Sequence, residues 1–178
     1  FNTIVKGEGE QVITNIVRNR LTGIIEGVKT EILDELPYPA RHKLSINQYP
    51  HKNEFLKANR VLSLNTSRGC PYNCTFCSVK TIWGRSYRAF SPLSIAVEIK
   101  QLIDKYSDNG IYFREDNFTY DRKSVIGICS LIKNWNLEWV CESRVEHLDE
   151  KLVKIMSGAG CKGMWFGTES GSNRVLKM

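Results

Sequence analysis

Long apolar runs are missing from this chain. No stretch of its 178 residues approaches the roughly 20 apolar residues a helix needs to cross a bilayer. The N-terminus lacks the basic, apolar and small-residue order of a signal peptide. Acidic residues almost disappear between Arg41 and Arg88, where nine bases face only Glu54. An arginine-rich motif and an aromatic stacking platform are also absent, so nucleic acid is not an expected partner.

What is present describes an ordinary globular protein, with 42% hydrophobic and 25% charged residues. The length allows one core or two small ones. The net charge of +6 is uneven, since Arg41–Arg88 carries +8 and the remainder −2. That basic window is either a solvated linker and loop or a positive field around an anionic cluster or substrate. Six cysteines with three in one loop suggest an intracellular metal site rather than a disulfide framework, and the cytoplasm is the expected location. The chain starts at Phe1 and ends on Lys177-Met178 just after a strand-to-helix transition, as a piece of a longer protein would.

The most informative stretch runs Ser67-Arg68-Gly69-Cys70-Pro71-Tyr72-Asn73-Cys74-Thr75-Phe76-Cys77. Three thiolates this close can each bind one iron of a cubane cluster, leaving the fourth iron without a protein ligand. An open coordination position is where a substrate or cofactor binds. A zinc site, a redox pair and three buried cysteines are the competing readings. Zinc wants four ligands, and His42 or His51 would serve only if the chain folds back. A redox pair of Cys74 and Cys77 leaves Cys70 unexplained. The spacing favours the cluster.

Residues 61–178 alternate strands and helices. Strands are expected at Val61–Ser67, Ile111–Phe113, Trp139–Ser143 and Gly163–Thr168. Ser91-Pro92, Asp121 and Asp149 are the caps expected to start the three helices between them. Such alternation implies right-handed crossovers and a parallel sheet, either a partial (β/α) barrel truncated after about four strands or an open wound sheet. In both, the reactive face is the carboxyl end of the strands. There the cysteine loop, Glu115-Asp116-Asn117, Arg144 and Glu169-Ser170 would share one pocket. The first part, with Thr3-Ile4-Val5, a helix-period run from Val12 to Leu21, Ile24-Ile25 and Leu36-Pro37-Tyr38-Pro39, reads as a strand-helix unit followed by a linker to about Asn59.

These residues resemble the radical S-adenosylmethionine (SAM) superfamily, in particular its cobalamin-binding branch. The likeness is carried by the Cys70–Cys77 loop with Phe76, by Trp83-Gly84-Arg85-Ser86-Tyr87-Arg88 and by Ser91-Pro92. Further along it is carried by Glu115-Asp116-Asn117-Phe118, Arg144, Ala159-Gly160-Cys161 and Phe166-Gly167-Thr168-Glu169-Ser170-Gly171. Upstream, Gly7-Glu8-Gly9-Glu10 and Leu33–Ala40 resemble the tail of the cobalamin domain and its linker. The implied division is a cobalamin-domain remnant at 1–36, a linker at 37–60 and the first half of a radical SAM barrel at 61–178.

The resemblance also implies a chemistry. Cys70, Cys74 and Cys77 would hold a [4Fe–4S] cluster, and SAM would chelate the open iron. One electron, from a donor such as flavodoxin or ferredoxin, would then yield methionine and a 5′-deoxyadenosyl radical. Phe76 would pack near the adenine or pin the loop. Glu115 and Asp116 would bind the SAM ammonium group, Arg144 its carboxylate, and Glu169 with Ser170 the ribose or amino group. A structural ion pair is the alternative for each charged one. Cobalamin would be held mostly by residues upstream of Phe1. The expected reaction is methyl transfer or cyclisation on an unactivated carbon of a small molecule. Methylthiolation of tRNA or a ribosomal protein is the rival within the superfamily, and a non-catalytic zinc- or cluster-binding module the rival outside it. Cys129, Cys141 and Cys161 are expected to be small buried residues, and Trp83, Trp135, Trp139 and Trp165 packing residues.

Overall fold

The computed structural model describes residues 1–49, 52–106 and 109–177. In chain order the N-terminal elements are β1 (Thr3–Lys6), α1 (Ile13–Asn19), β2 (Gly23–Glu26), β3 (Val61–Leu64), β4 (Ser67–Arg68), α2 (Val79–Ile82) and β5 (Arg88–Ala89). They are followed by α3 (Pro92–Tyr106), β6 (Gly110–Phe113), α4 (Arg122–Ile132), β7 (Glu138–Ser143), α5 (Glu150–Gly158), β8 (Cys161–Phe166) and α6 (Asn173–Leu176). Two compact units interleave along the chain: residues 1–39 with 67–90, and residues 40–66 with 91–178.

The larger unit is built on a four-stranded parallel sheet in the order β3-β6-β7-β8. β6 and β7, and β7 and β8, are each joined through one helix, α4 or α5, whereas β3 reaches β6 through β4, α2, β5 and α3; α3, α4 and α5 pack on one another in turn. Sequential order with no switch point is the topology of a (β/α) barrel, not of a doubly wound sheet. The helix starts follow from local chemistry. Ser91 Oγ accepts from Ser94 N at 3.1 Å ahead of Pro92, and the Asp121 carboxylate accepts from Lys123 N and Ser124 N. Asp149 accepts from Leu152 N at 2.7 Å. Each satisfies amide donors that the first helical turn leaves open.

Both sheet faces are covered, as a parallel sheet requires. On the helix side Phe113, Trp139 and Cys141 are fully buried with Ile95, Ile99, Ile128, Leu152 and Met156. Phe113 stacks on Phe118 with centroids 4.7 Å apart, and Trp139 meets Phe113 edge-on at 5.2 Å. Trp139 Nε1 donates to Ala159 O at 2.9 Å, so the ring is buried without a stranded donor. On the other face Val61, Val140 and Leu56 pack with Ala58, Tyr112 and Trp165. Phe55 lies against Trp165 at 5.2 Å, and Lys57 N donates to Glu138 at 2.7 Å. The chain before β3 is therefore packed onto the sheet, not loosely tethered to it.

Two strand boundaries differ from the sequence expectation. β3 stops at Leu64, because the Asn65 side chain turns to Arg114 O and Thr66 N donates to the Glu115 carboxylate. The last strand runs Cys161–Phe166 instead of Gly163–Thr168. Its start is set by Gly160, whose φ is 100° and whose carbonyl accepts from Trp139 N. Its end is set by the turn at Glu169, with φ 54°.

The smaller unit contains β1-α1-β2, a parallel pair with a helical crossover, in the register Thr3↔Gly23 to Lys6↔Glu26. It also contains the antiparallel β4·β5 ladder, Ser67↔Ala89 and Arg68↔Arg88, which closes the cysteine loop. Ile4, Ile13, Val17 and Ile24 are exposed on the β1-α1-β2 part. Among the described residues no helix is long and apolar enough to cross a membrane.

A Cβ on Gly160 would lie 1.9 Å from Leu137 O. Gly160→Ala should therefore lower the unfolding free energy by about 1–3 kcal/mol from the left-handed backbone alone. The clash adds to that loss, and the shift in urea midpoint measures both.

Candidate functional site

The cysteine loop begins at a position only glycine fits. Gly69 has φ 84°, and a Cβ there would stand 2.2 Å from Ser86 O. Past it, Cys77 N donates to Cys74 O at 3.2 Å in a tight turn, and α2 follows. Arg85 donates to Asn73 Oδ1 at 2.8 Å, tying the return limb to the loop. The Arg68 guanidinium lies over Trp83, 5.0 Å from the ring centroid.

Cys70, Cys74 and Cys77 are all half-buried thiols. Among the described residues no three His, Cys, Asp or Glu side chains are arranged to hold a single metal ion. His42 is exposed, and His51 lies outside the described residues. A single zinc needs four donors converging on one point, whereas a cubane takes each thiolate on a different iron. The donor set fits the cluster. Phe76 is 67% exposed, so its ring does not pin the loop by burial.

Beneath the loop lies a buried charge cluster that sequence reasoning missed. Glu8 accepts from Arg68 at 2.8 Å, from Thr30 N at 3.2 Å and from both terminal nitrogens of Arg88. Burial acts to raise the Glu8 pKa, but the Arg88 and Thr30 hydrogen bonds and the Arg88 charge outweigh it, and the net shift is downward. Arg68 also pairs with Glu10 at 2.5 Å. In the larger unit Arg41 pairs with Glu98 at 2.5 Å. Three bases of the basic window are thus neutralised by acids from outside it, and the field they leave is weaker than the sum of charges suggests.

The strand ends of the larger unit hold the other expected residues. Glu115 is 5% exposed and its carboxylate takes Thr66 N, so it joins the ends of β6 and β3. Asn117, placed at this strand end by the sequence pattern, is 2% exposed with neither side-chain polar atom hydrogen-bonded, an orphaned buried amide. Phe118 N donates to Glu142 O at 3.0 Å, tying the turn after β6 to β7. Tyr112 Oη donates to the Glu142 carboxylate. Partial burial, then that bond and the Glu142 charge, push the tyrosine up to about 12.

Arg144 forms a fork with Glu146 in its own turn, at 2.9 and 3.0 Å. The structural ion pair weighed for it therefore has an observed partner. Glu169 stands in the left-handed region, and Gly167 leaves room for its carboxylate. Ser170 Oγ accepts from Ser172 N at 3.1 Å, so it caps the turn into α6. Cys129 and Cys141 are fully buried, and Cys161 is half-buried with its thiol directed to Gly163 O at 3.6 Å. Burial pushes Cys129 up to about 12, which suits a packing thiol.

A three-thiol loop on a glycine-closed hairpin, and a parallel sheet with polar strand ends, define a cofactor-dependent α/β protein of barrel type. Residues 64–178 match the model of the radical SAM superfamily, and the chain belongs to that superfamily. It is 32% identical to an uncharacterized methyltransferase of Pyrococcus horikoshii, over 99% of this chain and 42% of that protein. It is 31% identical to the cytidylyl-2-hydroxyethylphosphonate methyltransferase of Streptomyces wedmorensis, over 82% of this chain and 28% of that protein. In fold it is similar to the cobalamin-dependent SAM radical enzyme OxsB, solved with aqua-cobalamin and SAM bound. That likeness has a TM-score of 0.78 at 20% identity and covers 96% of this chain and 28% of that one. The chain spans less than half the length of these relatives.

Partial burial holds the Asp116 carboxyl above its usual range, and the Glu142 charge adds to the shift. The folded state thus disfavours ionised Asp116. The penalty is full above the raised value and absent below the ordinary carboxylate range. Asp116→Asn should raise the melting temperature slightly at about pH 7, the gain being small because the residue is exposed and water screens its charge, and closing toward about pH 3.5. Parallel melts of the two proteins across that range provide the check.

Proposed function

We propose that this chain carries the cluster-binding half of the catalytic domain of a cobalamin-dependent radical SAM enzyme. The observation that carries this reading is the loop itself: three half-buried thiols within eight residues, in a chain whose residues 64–178 match the superfamily. In this reading residues 1–36 are the end of a cobalamin-binding domain, 37–60 a connector and 61–178 the first part of the barrel. The exposed Ile4, Val17 and Ile24 support it, since a larger open sheet would cover them.

Cys70, Cys74 and Cys77 hold a [4Fe–4S] cluster as thiolates, one per iron. With cluster and SAM bound, the chemistry supplied there would be one-electron reductive cleavage of SAM, the electron coming from a flavodoxin- or ferredoxin-like donor. Asp116, Arg144, Glu169 and Ser170 are the residues proposed to contact SAM. Arg144 would exchange its Glu146 partner for the SAM carboxylate, keeping a bidentate geometry. Glu115 has the weaker claim, because its carboxylate already serves Thr66 N. Phe76, with its ring exposed, is free to cover an adenine.

The reaction we infer is methyl transfer to an unactivated carbon of a small molecule, with cyclisation as the second outcome. The methyltransferase names of two relatives support this choice. Cluster chemistry of this kind also needs a compartment that keeps thiols reduced, and the cytoplasm provides one.

Anaerobic reconstitution of the protein at its relatives' length should give about four irons and four sulfides per chain. It should also give 5′-deoxyadenosine from SAM under a strong reductant and cobalamin retained through gel filtration. Cys70→Ala, Cys74→Ala or Cys77→Ala should each abolish the visible absorption and the product. Cys129→Ala, Cys141→Ala and Cys161→Ala should keep both. Zinc without iron would overturn the cluster. An intact cluster with no retained cobalamin would favour the methylthiotransferase reading instead.

A further inference from the structure

The base of the cysteine loop presents an electrostatic problem. The β4·β5 ladder is two residues long, and its Arg68↔Arg88 pair sets two cations directly opposite each other. Like charges opposed on a ladder are destabilising, and so short a hairpin has little else to hold it. Both side chains are largely buried, at 17% and 6% exposure, so water does not screen them well. Glu8 answers this from 60 and 80 residues away in sequence. Its carboxylate, 6% exposed, lies between the two guanidinium groups and bonds both. The second terminal nitrogen of Arg68 donates to Glu10, and Arg88 donates to Thr30 O. Two cations and two anions leave the cluster neutral. Arg68 then precedes Gly69 and Cys70 directly, and its guanidinium covers Trp83 on the returning limb.

We propose that Glu8 is a positioning residue for the cysteine ligands: by bridging Arg68 and Arg88 it closes the base of the loop and fixes where Cys70, Cys74 and Cys77 stand. The use of the loop for a cluster rests on the function proposed above, but its closure by Glu8 does not. The β1-α1-β2 segment, which supplies Glu8 and Thr30, is on this account a structural part of the cluster site. Removing the carboxylate charge while keeping its shape leaves Arg88 without an anionic partner, since Arg68 keeps Glu10, and stranding that buried cation is a larger loss than removing it together with Glu8.

The test is tryptic cleavage at Lys80 and Arg85 in the metal-free protein under reducing conditions, since cleavage there follows local opening of the loop. Glu8→Gln should be cut about tenfold faster at these two bonds. Glu10→Gln, whose removal still leaves Arg68 its Glu8 partner, should change the rate less than about twofold. The double variant Glu8→Gln/Arg88→Gln should recover most of the protection, because one stranded charge leaves with its partner. Wild-type rates in Glu8→Gln would overturn the proposal. A double variant cut as fast as Glu8→Gln or faster would do so too, and this comparison decides the matter even if Glu8→Gln alone unfolds. Iron retention against a chelator after reconstitution is the second readout, and Glu8→Gln should lose iron sooner than wild type. If wild type takes up no iron, the cluster reading fails, while the cleavage rates still decide the role of Glu8.

Discussion

Parallel strands cannot be joined by tight turns, and the rest of the larger unit follows from that constraint. Each strand must be followed by a crossover, so α3, α4 and α5 all cover one face, and every carboxyl end reaches the same edge. The turns at that edge carry Glu115, Asp116, Asn117, Arg144 and Glu169. The buried face is committed to packing, with Trp139, Phe113 and Phe118 in one aromatic cluster. That edge is where the backbone is irregular, and it is where the function proposed above puts its SAM contacts.

The smaller unit solves a different problem. On the function proposed above, a loop that presents three thiols to one cofactor could not be built from hydrophobic packing alone, because its thiols must reach that cofactor. It is held instead by a glycine against a carbonyl, by a short ladder and by a buried charge cluster. Such a cluster adds little net stability, because desolvation offsets most of the attraction, yet it fixes geometry when every partner is present. On the function proposed above, cofactor uptake would depend on that geometry.

Features set by neighbours in sequence were legible, and features set by distant partners were not. Ser91, Asp121 and Asp149 cap their helices as their sequence contexts indicate, because capping needs only the next three residues. The cysteine spacing and the strand-helix alternation were legible for the same reason. The ends of β3 and β8 were missed because Glu115 and Leu137 lie far from them in sequence. The Glu8 cluster spans up to 80 residues, and Gly7-Glu8-Gly9-Glu10 carried no local sign of it. The charge asymmetry between Arg41–Arg88 and the rest of the chain was the available clue, since unbalanced buried bases require acids from elsewhere.

The central claim is that three cysteines hold a four-iron cluster and leave one iron open to SAM. Mössbauer spectroscopy of protein reconstituted with Mössbauer-active iron, recorded with and without SAM, tests it most directly. The account predicts that one iron of the four changes its isomer shift when SAM is added, while the three thiolate-bound irons keep theirs. A cluster whose irons all stay unchanged by SAM would contradict it.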